Sequence, residues 1–325
     1  MSINSIVRAF IVLATAATSS AIAQDYPTRS VSLIIPFAAG GPTDTLGRHL
    51  ALVMTTALKQ QVVVENVPGA GGTISYGRVA KSKPDGYTVL LAHIGMSTAP
   101  ALYRKPAVNP LTDFEYIGQV ADVPMTLIAK TGLPPDNYKE LIPYLRDNKA
   151  KLNLGNAGLG AASHLCGLLF MSAIQTDLTT IPYNGTAPAM AALMGGQIDL
   201  MCDQTTNTTA QIKAGRVKVY GVTSKTRVPS LQFVPTLAEQ GLKNFEVVVW
   251  HGLYVAKGTP KPVLDKLVAA LQASVKDPGF KAKLADLGAE PVAVAKATPE
   301  GLQKHLQAEI IKWGPIIKKA GIYAD

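Results

Sequence analysis

"IIPFAAGGPTDTLGRHL", residues 34–50, decides the fold. The apolar run that begins at Val31 ends at Pro36, and a loop of small residues follows, Ala38, Ala39, Gly40 and Gly41. Thr43 and Asp44 then open a segment with apolar residues at Leu46, Leu50, Val53 and Ala57, which is helical spacing. A strand therefore feeds a helix through a loop with almost no side chains. Such a loop closes a tight turn, or it lets a ligand reach the free N–H groups and partial positive charge of the helix start. Asp44 fits as a helix cap or as an acceptor for a ligand donor or a bound water.

The same layout recurs at residues 152–173, "LNLGNAGLGAASHLCGLLFMSA", with Ser163 near the start of the second helix. Between and beyond the two loops, strand-like runs ("QVVVENV", "TVLLAHI", "LTTIPY", "QIDLM", "VKVYGV") alternate with helix-like ones. That rhythm implies an α/β fold with a mostly parallel sheet covered by helices. One loop unit in each half of the chain implies two lobes, with residues 25–124 plus 246–325 in one and 125–245 in the other. Extended stretches near residues 116–130 and 245–256 would join them. Ligands of open α/β sheets lie at the carboxyl ends of strands, so facing lobes would bring both loops to one cleft. Thr259–Pro260 and Thr298–Pro299 read as N-caps with a first-turn proline.

Residues 1–23 read as a secretory signal peptide: Arg8, an apolar run from Ala9 to about Ala17, and an A-x-A site at Ala21 and Ala23. The product is then a soluble, exported protein of about 300 residues, long enough for a large core. Arg8 is the only charge in that segment, so its removal takes the net charge from +9 to +8. The basic residues are dispersed, without a Lys/Arg block or aromatic-rich motif, which argues against nucleic acid and for an anionic small molecule. Two cysteines, Cys166 on the second loop's helix and Cys202 near the end of "QIDLM", lack metal spacing. A helix packed on a sheet can join them, so a disulfide and two buried thiols both stand open.

"GLGAAS" has its glycines out of place for a dinucleotide fingerprint, and "GAGG" at 69–72 lacks the Lys-Ser/Thr of a phosphate loop. His49, His93, His164, His251 and His305 are scattered, with no metal-binding spacing, and there is no G-x-S-x-G elbow. These observations imply a binding protein, not an enzyme, with no metal and no cofactor. A carboxylate on the amides of both loops is the ligand class that fits.

"YPTRSVSLIIPFAAGGPTD", "VVVENVPGAGG", "KPDGYTVLLA", "GLGAASHL", "IPYNGTAPAMAALMGGQIDLMCD", "AGRVKVYGVTSKTR", "VPTLAEQGL" and "GTPKPVLDKL" stand in this order along the chain. In them, from Asp25 to the C-terminus, the sequence resembles the Bug family, the periplasmic solute-binding proteins of tripartite tricarboxylate transport systems. The resemblance implies a type II-like periplasmic-binding-protein fold, two α/β lobes closing on a small carboxylate. It places Phe37, Ala39, Gly40, Gly41, Thr43 and Asp44 in the first ligand loop. Gly158, Leu159, Gly160, Ser163 and His164 fall in the second. Tyr183, Gly185 and Asp203 match further cleft positions, and His93 to Thr98 follow the third strand towards the cleft. The chain departs from the family at Asn156 and Ala161, where hydroxyl residues are common, and at Cys202, where an aromatic is common. The implied partner is a membrane permease, with the binding protein a monomer; the alternative is a carboxylate sensor that signals to a membrane kinase.

Overall fold

A computed structural model of the protein describes residues 26–321 and 323; the signal peptide expected at 1–23 lies outside them. The chain runs through β1 (Val31–Ile35), α1 (Pro42–Leu58), β2 (Val62–Asn66), a 3-10 turn (Ala70–Gly72), α2 (Thr73–Ala80), β3 (Thr88–His93), α3 (Gly95–Leu102) and β4 (Phe114–Ala129). Next come α4 (Tyr138–Asn148), β5 (Asn153–Asn156), α5 (Ala162–Ile174), β6 (Thr179–Pro182), α6 (Thr186–Met194), β7 (Leu200–Gln204), α7 (Thr205–Lys213) and β8 (Lys218–Val222). β9 (Val248–Ala256), α8 (Lys261–Lys276), α9 (Pro278–Asp286), β10 (Glu290–Pro291) and α10 (Pro299–Ala320) complete it.

The strands lie in the order β2-β1-β3-β9-β4-β7-β5-β6, with β8 and β10 also paired to β4. β1 is parallel to β2 and β3, and β5 is parallel to β6 and β7. The middle of the sheet is antiparallel: β9 against β3, and β4 against β7, β8, β9 and β10. The sheet is thus mixed, which corrects the expectation of a mostly parallel one. β4 carries the chain out of the first half and β9 brings it back, so two neighbouring strands run in opposite directions. β4 is one 16-residue strand. It pairs with β9 as far as Pro124 and with β7 from Met125 onward.

β1 is apolar at almost every position because both its faces are covered. Val31, Leu33 and Ile35 point one way, into a cluster with Leu46, Leu50 and Met54 of α1 and Leu267 and Leu271 of α8. Ile34 points the other way, into a cluster that includes Tyr76, Leu90, Tyr254 and Leu306. Between these layers β1 is held at a fixed height, and so is the loop that leaves its end.

α10 begins as expected, with the Thr298 Oγ1 accepting from Gly301 N at 3.1 Å. α8 does not: its first residue is Lys261 and its N-cap Pro260. Thr259 instead turns its hydroxyl back to donate to the Ala256 carbonyl at 2.8 Å. Cys166 of α5 and Cys202 of β7 are bonded as a disulfide, with their Cα atoms 6.0 Å apart. Among the described residues no helix is long and apolar enough to cross a membrane.

Candidate functional site

β1, β5, β6 and β7 each deliver the chain into a helix, and the starts of all four helices meet at one inner cavity. Pro42 and Thr43 bring the start of α1, Ala162 and Ser163 that of α5, Thr186 that of α6, and Gln204 that of α7. Phe37, His93, Ala157, Ala161 and Asp203 complete the wall. The volume open to the centres of water molecules is about 10 Å³, so the lobes stand closed on one another.

Backbone geometry makes this cavity electropositive. The first intrahelical bond of α1 is from Thr45 N to Gly41 O, and that of α5 from Leu165 N to Ala161 O. The amides of Thr43 and Asp44, and of Ala162, Ser163 and His164, precede those bonds and have no partner within their helices. Each helix start carries the equivalent of roughly half a positive charge. No lysine or arginine lines the cavity among the described residues. The basic excess of the sequence is therefore not what makes this site positive.

The side chains around the loops hold them in shape. Asp44 Oδ2 accepts from Gly40 N at 2.8 Å and from Arg48 Nε at 2.9 Å, while its Oδ1 accepts from Asn66 Nδ2 at 2.9 Å. Burial pushes the Asp44 carboxyl up, but the hydrogen bonds from Arg48, Gly40 and Asn66 outweigh it and hold the pKa below the usual range. In the second loop Asn156 Oδ1 accepts from Gly158 N at 2.9 Å, Ser163 Oγ from Ala157 N at 2.8 Å, and His164 Nδ1 from Gly160 N at 3.2 Å. The glycine amides at 40, 158 and 160 are thus engaged inside the protein. The donors that remain are those of the first helical turns.

His93 closes the cavity from the β3 side. Its Nδ1 accepts from Gly95 N at 3.0 Å, and its ring stacks on Phe37 with centroids 4.7 Å apart. Behind it, His251 Nε2 lies 3.3 Å from the Thr43 hydroxyl. Burial pushes the imidazoles of His93 and His164 down to about 4, and that of His251 well below its usual value. All three are neutral at neutral pH and add no positive charge.

Asp203 is the one carboxylate in the wall among the described residues. Its Oδ1 accepts from Gln204 N at 2.8 Å and its Oδ2 from Asn207 Nδ2 at 2.6 Å. Burial raises its pKa to about 7, against the opposing hydrogen bonds from Asn207 and Gln204. The Thr186 hydroxyl faces the same carboxyl without a well-formed hydrogen bond.

A second, outer cavity of about 290 Å³ lies at the cleft mouth, between Gly69, Gly71 and Tyr103 on one side and Gly158, Leu159 and Tyr183 on the other. Its two sides touch. Ala38 N donates to the Asn184 carbonyl at 3.2 Å, and Tyr103 OH lies 3.5 Å from the Leu159 carbonyl oxygen. Gly71, at φ +61°, sits so close to the second loop that a Cβ would overlap the Leu159 carbonyl oxygen.

Of the residues singled out from sequence, Phe37, Thr43, His93, Ser163 and Asp203 reach the inner cavity. Gly158, Leu159 and Tyr183 reach the outer one. Ala39 and Gly40 lie exposed at the rim, and Gly41 is the N-cap of α1. Asp44, Gly160 and His164 support the loops from behind. Thr186 and Gln204 were not among those singled out, nor was the seam at 69–72. The strand–glycine–helix order of "IPYNGTAP" carries the signal for Thr186, and "GAGG" marks the turn at 69–72 without saying what it meets.

The sequence profile of the tripartite tricarboxylate transporter family receptor matches residues 46–322. A UPF0065 protein from the TAR-I ttuE-ttuC' intergenic region of Agrobacterium vitis is 46% identical over 300 residues, covering 92% of this chain and 87% of its own. Among solved structures, the periplasmic binding protein BugD is 54% identical with a TM-score of 0.90, over 92% of this chain and 99% of that one. MatC from Rhodopseudomonas palustris with bound malate is 37% identical with a TM-score of 0.86, over 90% of this chain and all of that one (100%).

Proposed function

The chain belongs to the tripartite tricarboxylate transporter receptor family, and from that premise we propose that it captures a small carboxylate between its lobes in the periplasm and delivers it to a membrane permease. The observation that carries this reading is the convergence of four helix starts on one cavity without a basic side chain. Such a site favours an anion through fixed backbone dipoles. The malate bound to MatC, a relative of the same fold, supports a carboxylate as that anion.

The ligand carboxylate accepts from the first-turn amides of α1 and α5, with the Thr43, Ser163 and Thr186 hydroxyls beside it. Each charge-assisted hydrogen bond contributes about 1.5–3 kcal/mol. Phe37, stacked on His93, covers it and excludes water. The lobes are residues 26–124 with 246–321, and 125–245. The change of partner along β4 at Pro124 and Met125 supports that division. The protein works as a monomer, since one chain supplies both walls of the cleft.

Ligand-free protein, prepared by unfolding and refolding, tests the reading. Its melting temperature is followed against dicarboxylates, monocarboxylates, sugars and amines. At least one carboxylate should raise it, with a stabilisation of about 2.7 kcal/mol at a hundred times Kd. If sugars or amines stabilise the protein and no carboxylate does, the reading fails.

A further inference from the structure

Asp203 stands where a captured carboxylate would arrive. It is fully buried, it lines the inner cavity, and it already engages the start of α7 through Gln204 N and Asn207. No positively charged side chain faces it among the described residues. β4 offers the Thr126 hydroxyl, which donates to the Asp203 backbone carbonyl at 3.2 Å. α6 offers Thr186, α5 offers Ser163, and β3 offers the neutral imidazole of His93. β7 itself carries Cys202, which is bonded to Cys166. A carboxylate placed in this cavity therefore meets a second carboxyl at close range in a water-poor site. Two such groups do not both ionise; one takes a proton.

We propose, building on the carboxylate reading above, that Asp203 is the proton acceptor of the site, so that each captured anion brings in one proton from solvent. The proton adds to the Asp203 carboxylate, and the O–H so formed donates to the ligand carboxylate, which stays ionised. No other bond is made or broken. Asp203 then recognises the anion as a hydrogen-bond donor, where an ionised carboxylate would repel it.

The carboxyl is already poised for this, since burial has brought its pKa to about 7 in the closed cleft. Opening the cleft admits water and lowers that value. Below the pKa of the ligand-free protein Asp203 is already protonated, and affinity is flat with pH. Above it a proton must be taken up, and affinity falls by up to about tenfold per pH unit until the pKa of the complex is passed.

Isothermal titration of refolded protein tests this, using whichever of succinate, glutarate, adipate and benzoate binds most tightly, in two buffers of different ionisation enthalpy. None of the four has a donor that could hydrogen-bond an ionised Asp203. The expected uptake at pH 8 is about 0.5–1 proton per ligand, with Kd rising about tenfold between pH 7.5 and 8.5. D203N should lose both the uptake and the pH slope, and should bind more tightly than wild type at pH 8.5. Binding at pH 8 with no net proton uptake overturns the proposal, as does uptake that persists in D203N. If D203N does not fold, the wild-type uptake decides alone. If none of the four binds even at pH 5.5 while other ligand classes do, the carboxylate reading itself falls and this inference with it.

Discussion

Replacing Gly71 with alanine should hold the cleft open. In the closed protein a Cβ at this position would overlap the carbonyl oxygen of Leu159 and lie 3.2 Å from its carbon, across the seam between the lobes. Both obstacles are backbone, so no rotamer change relieves them. The loops must retreat by roughly 1 Å or more to reach ordinary contact distances. Two costs separate cleanly. At φ +61° alanine is strained by about 1–2 kcal/mol whether the cleft is open or closed. The overlap exists only in the closed form and costs about 1–3 kcal/mol, which lowers affinity by about 5- to 150-fold. Gly215 is the matched control: its φ is +64° and nothing lies within 4 Å of a Cβ there. Gly215→Ala should lose stability in denaturant titration by about as much as the backbone strain alone, about 1–2 kcal/mol, and bind normally. Isothermal titration of the tightest carboxylate against both variants is the assay. If Gly71→Ala binds within twofold of wild type, the contact with Leu159 is not part of the liganded state and the argument is wrong.

Three further sites of substitution probe what holds the first loop and the fold in place. Asp44→Ala removes the acceptor shared by Gly40 N, Arg48 Nε and Asn66 Nδ2 and should cost about 2–4 kcal/mol in urea unfolding. Because its folded pKa is lowered, the stability Asp44 adds is present above the unfolded value and is lost as pH falls through the folded one, so the difference between variant and wild type should shrink below about pH 4. Removing the disulfide, whose ends stand 36 positions apart in sequence, as Cys166→Ala with Cys202→Ala should cost about 3–4 kcal/mol; thiol titration of the denatured, unreduced protein should find no free thiol, and finding two refutes the bond. Glu309 Oε2 accepts from both buried indoles, Trp250 Nε1 at 3.2 Å and Trp313 Nε1 at 2.8 Å. Glu309→Ala should destabilise by about 2–4 kcal/mol, and Glu309→Gln, which keeps an acceptor, by less.

The features legible in the sequence are those set by local chemistry. β1 reads as a strand buried on both faces because Val31, Leu33 and Ile35 meet one helical layer and Ile34 the other. The loops at 37–41 and 157–161 read as helix entries because their glycines stand directly before apolar-spaced segments, although neither helix has a side-chain cap. Long-range features were not legible. β9 pairs with β3 and β4 across more than a hundred residues of sequence, and nothing local to "VVVWHGLYVA" says that it returns antiparallel. The two helix starts noticed in sequence became four, because α6 and α7 reach the cavity only through the order of β5, β6 and β7 in the sheet. Asp44 was open between a cap and a ligand partner. The structure rules out the cap, since the N-cap of α1 is Gly41 with no side-chain bond, and shows the carboxylate fastening the loop through Gly40. Thr259 matched a capping pattern, yet its hydroxyl finds Ala256 O, so α8 starts one residue later than a Thr259 cap implies.

The crystal structure of the refolded protein with its tightest carboxylate tests the central claim most directly. One carboxylate group should lie in the inner cavity, with oxygens about 2.7–3.2 Å from a first-turn amide of α1 and a first-turn amide of α5, and no lysine or arginine within reach. A carboxylate held instead by basic side chains, or seated away from Thr43 and Ser163, would contradict it.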